Sequence, residues 1–406
     1  MKLPHCIYAL LFVCLLSCNS KSKQTNEATE TSLPVINLSE NISKVEGLPL
    51  SDAASGVEKV ILEVTDKSLI GKIQKVEITA HDIWITTFEN ILRFSREGKF
   101  LNSVGRKGQG PGEYNNFSNY FIDEDNADIY IIPSNGGGLL VYEYDGRFKH
   151  KISAWRTLED ILNMNSEKFL FLNGYCFLEQ SGAVMYDIPT DSLWTIGLFD
   201  KDFKIAKRFK NPGMTGHESE IIKNKGSNFE IVNYWQQPSS TITAYGNETT
   251  LKYCDTDTIY RFDKTQELFL PQYAIHTNEP KGDYGATHQW IKEREAFNYF
   301  TIGRYYPTKD YIYLVGYKGD EIYNYCYNKN NGSVRLTKET TQIEERRLPW
   351  FSSPHRRIKV DFMLENDLQG GNKFTIDYTS SGKYWVDVVE PEDEDANPHL
   401  MIATLK

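Results

Sequence analysis

Several segments of this chain are apolar at successive positions, not at every second or every third to fourth one. Ile83-Trp84-Ile85, Ile129-Tyr130-Ile131-Ile132, Tyr311-Ile312-Tyr313-Leu314-Val315 and Tyr384-Trp385-Val386 are of this kind. A short apolar run bounded by turn residues predicts a strand buried on both faces. In α/β proteins helices provide that cover, but here the stretches between runs are short, polar and turn-rich, with few helical periods. Small antiparallel sheets packed face to face around an axis bury both faces without helices.

A turn frame recurs between these runs. Phe94-x-x-Glu97-Gly98-Lys99-Phe100 returns as Tyr142, Gly146, Arg147 and Phe148, and again as Tyr378, Gly382, Lys383 and Tyr384. Degenerate copies lie at Phe199 to Phe203, Phe262 to Leu268, and Tyr327 to Val334. An acidic residue before glycine suits a tight hairpin that needs a positive φ, and the flanking aromatics pair across the two strands. Intervals of roughly 40 to 50 residues match one four-stranded blade each. The expectation is an all-β, six-bladed β-propeller with four-stranded antiparallel blades over residues 56–406. The run from Val57 to Val64 and the run from Leu400 to Leu405 fall outside the frame and are expected to complete one blade together. Ala286 to Phe300 has a helical spacing of Trp290, Arg294 and Phe297, which predicts a short helix on a loop.

The first residues change the picture of where the protein works. Met1-Lys2 followed by the apolar stretch Ile7 to Leu16 has the form of a secretory signal, too short to span a bilayer. Its ending, Leu15-Leu16-Ser17-Cys18, resembles a bacterial lipobox. Residues 1–17 are then the signal and Cys18 the lipidated first residue. Residues 18–55, rich in Ser, Thr, Asn, Lys and Glu, read as a flexible tether. By resemblance to other bacterial lipoproteins, the lack of Asp after Cys18 implies an outer-membrane lipoprotein facing the periplasm.

The chain carries a net charge of −10, and loss of residues 1–17 removes one lysine and no acid. That sign disfavours nucleic acid, because phosphate backbones need a basic face. Of six cysteines, Cys6 and Cys14 leave with the signal and Cys18 takes lipid. Cys176, Cys254 and Cys326 remain, too few for a disulfide framework, and read as small buried hydrophobes.

Val104 to Tyr114, VGRKGQGPGEY, follows a hairpin and precedes apolar Phe121-Ile122. With it go Ser68-Leu69-Ile70-Gly71-Lys72-Ile73, Asp257-Thr258-Ile259-Tyr260-Arg261-Phe262, Asn366-Asp367-Leu368-Gln369-Gly370-Gly371 and Asn397-Pro398-His399-Leu400-Met401-Ile402. On these segments the chain resembles the six-bladed propeller lipoproteins of Bacteroidetes, relatives of NHL-repeat propellers. The resemblance implies the fold and the export class and says little about activity.

Candidate chemistry is sparse. Gly105-Arg106-Lys107-Gly108-Gln109-Gly110-Pro111-Gly112 admits two readings: an anion cradle of backbone N–H groups with Arg106, Lys107 and Gln109 beside it, or a connector between blades. It lacks the Gly-Lys-Ser/Thr ending of a Walker loop. His217-Glu218-Ser219-Glu220 starts like a zincin helix, but Ile221 stands where the second histidine belongs. Trp155, Trp235 and Trp290 lie in irregular insertions, where an amphipathic ring suits a binding surface. Asp191-Ser192-Leu193 and Asp257-Thr258-Ile259 resemble O-glycosylation acceptors of exported Bacteroidetes proteins. No cofactor or metal is expected. The leading expectation is a non-catalytic module, tied to the membrane through its lipid, that binds an envelope protein, peptide or glycan. The alternative is a lyase or hydrolase working in the central channel.

Overall fold

Neighbouring residues of one strand point into different cores. Ile83 and Ile85 belong to one buried cluster and Trp84 to the next. Ile131 and Ile132 divide in the same way, as do Leu314 and Val315. This computed structural model describes residues 33–134, 138–153, 166–184, 194–212, 220–223, 230–237, 240–253, 256–280, 299–340, 343–346, 355–358, 362–370, 373–393 and 395–406. Six four-stranded antiparallel blades form a propeller. Blade A runs from Lys75–Ile78 to Phe100–Ser103, blade B from Phe117–Asp123 to Phe148–Ile152, and blade C from Ser166–Leu172 to Ile205–Phe209. Blade D runs from Ser240–Tyr245 to Leu268–His276 and blade E from Thr301–Pro307 to Val334–Thr340. Blade F consists of Tyr378–Ser380, Tyr384–Val389, His399–Leu405 and, as its outer strand, Ala54–Ile61. First strands of neighbouring blades lie side by side around the axis. Each of the six buried clusters fills one junction between two blades.

The expected closure is present. Ala54–Ile61 pairs antiparallel with His399–Leu405 along its length. The clasp continues past the strands. Asn397, 5% exposed, donates from Nδ2 to the carbonyls of Glu63 and Ser68, both at 2.9 Å, and its Oδ1 accepts from Ile70 N–H at 2.8 Å. Ser68 is itself fully buried and donates to the Glu63 carbonyl.

The recurring turn joins the third and fourth strands in blades A to E. There the glycine has two duties. Gly98 and Gly146 have φ of +87° and +86°, and a Cβ on either would collide with a carbonyl of the preceding blade's outer strand, Ile61 or Ser103. The copy at Tyr378 to Tyr384 is different: it joins the first and second strands of blade F. Blade F has no third-to-fourth turn, because its third strand comes from the end of the described chain and its fourth from near the start.

The tether expected to reach residue 55 ends earlier. From Val35 onward the chain is a strap around the rim. Val35–Asn37 adds as a fifth, parallel strand to the outer edge of blade D, and Ile42–Lys44 does the same on blade E. Ile36, Leu38, Leu48 and Leu50 are buried, each worth at most about 1.5–3 kcal/mol. Past them, Ser51 donates from N and Oγ to Asp367, and Asp52 pairs with Arg335. Gln369 Nε2 donates to the Val57 carbonyl at 2.7 Å. Four well-spaced apolar side chains thus pin a segment whose average composition is that of a linker.

Additional hairpins, Glu220–Lys223 with Glu230–Gln237, Ile343–Arg346 with His355–Ile358, and Met363–Glu365 with Lys373–Thr375, had no signal in the repeat frame. The helix expected over Ala286 to Phe300 lies mostly outside the described residues, as does Cys254. Cys176 and Cys326 are buried free thiols, as expected.

Because Asn397 uses both of its donors and accepts one further bond in a buried position, Asn397→Ala should cost about 3 kcal/mol in a denaturant titration. Asn397→Asp should cost at least as much, since a carboxylate keeps only the bond from Ile70 and faces two carbonyls with no proton to offer. An Asp variant as stable as the wild type would contradict this account of the clasp.

Candidate functional site

The Gly-rich connector runs from the outer strand of blade A to the first strand of blade B, and four of its backbone donors, those of Gly108, Gly110, Glu113 and Tyr114, are already used. Tyr114 N–H donates to the Arg106 carbonyl at 3.1 Å, Gly108 N–H to the Tyr114 carbonyl at 3.2 Å, and Glu113 N–H to the Gly110 carbonyl at 3.0 Å. Gly110 N–H donates to Glu113 Oε2 at 2.9 Å. The connector's own carboxylate therefore sits where an anion would sit in a cradle. Two tyrosines hold the loop down. Tyr114 donates to the Val104 carbonyl at 2.8 Å and Tyr142 to the Gly112 carbonyl at 2.6 Å. Burial pushes both phenols well above their ordinary range, helped by Tyr142 beside Tyr114 and by Glu113 beside Tyr142. Both remain protonated donors. Gly112 packs on the Phe148 ring, which leaves no room for a side chain. Gly108 is restricted by contact too: a Cβ there would collide with the Glu113 carboxylate, while its φ lies outside the left-handed region.

Arg106, Lys107 and Gln109 project from this fixed backbone into solvent. Lys107 Nζ lies 3.6 Å from Glu89 Oε1. That contact brings the connector beside the turn at 87–90 of blade A, which Thr87 holds: its Oγ1 accepts from the N–H groups of Glu89 and Asn90, and its N–H donates to the Asn90 carbonyl. Phe88, at the tip, is 66% exposed. Along the seam between blades F and A, Ile61, Val64, Leu69 and Leu101 are exposed as well. Glu63 ties this seam together, donating from N to the Gly98 carbonyl and accepting at Oε2 from Phe100 N–H, both at 2.8 Å. Sequence reasoning named the cations of this region and missed its apolar part. Exposure of Phe88 has no signature in a single sequence, since an isolated Phe in a turn is more often buried.

Trp155, Trp290 and Cys18 lie outside the described residues. Trp235 sits in the strand Glu230–Gln237, opposite Val184, and only its backbone is described.

A crevice between blades D and E is lined by Tyr245, Tyr273, Tyr305, Glu248, Gln272 and Lys329. Its polar groups serve each other. Gln272 Nε2 donates to Glu248 Oε1, Tyr305 to Thr250 Oγ1 at 2.7 Å, and Lys329 Nζ to the Thr308 carbonyl. Burial lowers the Lys329 ammonium below the usual lysine range. The space admits roughly one water molecule. Burial also raises the Cys326 thiol, to about 11, and the Cys176 thiol further, so neither is a nucleophile at neutral pH.

Residues 33–402 match the model of a protein family described as Domain of unknown function (DUF4934). The chain belongs to this family. No curated protein matches it. Among solved structures, a protein of Bacteroides fragilis named as exported is 16% identical, with a TM-score of 0.56, over 92% of this chain and 99% of that one. A member of the DUF4221 family from Bacteroides vulgatus is 12% identical, with a TM-score of 0.49, over 87% of this chain and 99% of that one. At such identities the first likeness speaks for the fold.

If Glu113 fills the connector, Gly108→Ala should destabilise the protein by about 1–3 kcal/mol and cost markedly less in a Glu113→Ala background. A double-mutant cycle in urea measures the difference. Replacing Arg106 and Lys107 together by Ala should change stability by no more than about 0.5 kcal/mol.

Proposed function

We propose that this protein is a lipid-anchored, non-catalytic propeller of the cell envelope that binds a protein or peptide partner on blade A and its seam with blade F. One observation carries the binding role. Of eight exposed large hydrophobic residues among those described, four, Ile61, Val64, Leu69 and Leu101, belong to the segments that meet at this seam, and a fifth, Phe88, stands in the turn at the other end of blade A. Isolated exposed apolar residues are ordinary, but a concentration of them along one seam is the composition of an interaction surface. The apolar character favours a polypeptide over a glycan.

The envelope assignment is supported by the Leu-Leu-Ser-Cys ending before Cys18 and by the exported status in the name of the B. fragilis protein. Lipid on Cys18 would tie the rim strap to a membrane, and the periplasmic face of the outer membrane is the reading adopted here. Diacylation supplies the two chains that stable anchoring requires.

Two measurements test the reading. Cys18→Ala should move the protein from the detergent-soluble membrane fraction to the soluble fraction, and continued membrane partition would contradict the anchor. A photo-crosslinking amino acid at position 88 should form an adduct with a defined envelope protein in cells, whereas the same probe at position 204 on blade C should not. Identical adducts from both positions would remove the seam as the binding surface.

A further inference from the structure

Blade F buries a carboxylate on the face it turns to blade E. Asp387 stands in the strand Tyr384–Val389, two residues beyond Trp385 and so on the same side, and is 9% exposed. Trp385 packs there on Tyr306 and Tyr313. Asp377 is bonded to both neighbours of Asp387: its N–H donates to the Val386 carbonyl at 3.0 Å, and its Oδ2 accepts from Val388 N–H at 2.8 Å. Two carboxylates are thereby held side by side at the end of a strand pair, where like charges destabilise. Cations on the surrounding elements serve elsewhere. Across the blade Asp387 faces Met401, and Met401 faces Lys59, which places Lys59 two strands away. His399, flanking Met401, is kept below its ordinary range by burial and by Lys59. Lys373 lies 4.0 Å from Glu339, Arg304 donates to the Tyr306 hydroxyl at 3.5 Å, and Arg335 pairs with Asp52. Glu390 adds a further negative charge close to Tyr378 and Asp377. Burial above all pushes the Asp387 carboxyl up to about 6; Thr375 N–H opposes the rise and Asp377 adds to it.

We propose that Asp377 and Asp387 form an acid-tightened latch, in which proton uptake by Asp387 in mildly acid surroundings firms the hairpin of Met363–Glu365 and Lys373–Thr375 against blade F. The device is independent of any partner on the seam. Lys373–Thr375 packs on Tyr384–Val389 and leads within two residues to Asp377, so the repulsion acts at the root of the hairpin. What the hairpin holds is the strap. Glu365 N–H donates to the Leu48 carbonyl at 2.8 Å, Asp367 accepts from Ser51, and Gln369 donates to the Val57 carbonyl. An opened chain, with Asp387 at its ordinary value, takes up the proton near pH 4, at about the pKa of a free Asp; the closed chain takes it up near pH 6. Between these limits the closed state binds the extra proton, so it gains stability as pH falls and loses it as pH rises through 6. Asp367 shifts the other way. Burial raises it, but the bonds from Ser51 outweigh burial and hold its carboxylate below the ordinary range, so its grip on Ser51 persists through the window.

Amide hydrogen exchange of the whole protein, corrected for the intrinsic effect of pH, reads the latch. The opening equilibrium of residues 363–365 and 373–376 should fall roughly tenfold between pH 7.5 and pH 5. Asp387→Asn should exchange slowly at both pH values and melt higher than wild type at pH 7.5, because an amide can donate to Asp377 where a carboxylate repels it. Asp377→Asn keeps an acceptor for Val388 N–H. It should move the midpoint to lower pH without abolishing the dependence, since burial still acts on Asp387. Equal exchange of the wild type at the two pH values overturns the proposal, and so does an Asp387→Asn protein whose hairpin keeps the wild-type pH dependence. If that variant does not fold, the side-chain carboxyl carbon resonance of Asp387 in isotope-labelled wild type decides. A midpoint about 6 sustains the latch, whereas one near the ordinary value of about 4 overturns it.

Discussion

A ring of blades has one break in its covalent continuity, and here the antiparallel pair of Ala54–Ile61 with His399–Leu405 spans it. Every junction depends on that pair, because blades that are packed but not closed can slide outward along their apolar faces. Apolar contacts tolerate small shifts in register, whereas a hydrogen-bonded network does not. The polar specificity gathers accordingly around the closure. Asn397 binds the loop at 63–70, Asp367 holds Ser51, Gln369 holds Val57, and Arg335 holds Asp52.

These contacts explain what the most recognisable segments of the sequence are for. Asn397-Pro398-His399 and Ser68-Leu69-Ile70 are two halves of one clasp. Asn366 to Gly370 is a turn that receives the strap and the closing strand. The Gly-rich stretch from Gly105 to Gly112 is a connector filled by Glu113. Motifs in this chain mark how the ring is held shut. The exposed apolar positions of blade A and its seam are ordinary residues, Leu101, Ile61 and Phe88, whose significance lies in their exposure.

Architecture was legible because consecutive apolar residues have few solutions: Ile83, Trp84 and Ile85 cannot all be buried in a one-sided sheet. The strap was illegible for an opposite reason. Its strands are three residues long, below any window in which periodicity can be counted, and Ile36 and Leu38 sit among polar neighbours. The copy at Tyr378 misled because tight hairpins share one turn chemistry wherever they fall in a blade. Of the candidate site, the cations Arg106 and Lys107 could be read from the sequence. The contact of the Glu113 carboxylate with Gly110 N–H favours the connector reading of the loop, and nothing in the spacing of Glu113 announces it.

The closure also sets an order of events in time. Ser55 bonds Thr404 across 349 positions of sequence, and the strap lies on blades D and E, whose strands are synthesised long after it. The first part of the body to be made is therefore among the last to reach its place. Contacts of such separation form slowly. Until blades D and E have been made, the strap that covers their edges has no strand to pair with. Blades A to C pair strands that are neighbours in sequence, whereas the strap and the closing strand wait for partners made hundreds of residues later.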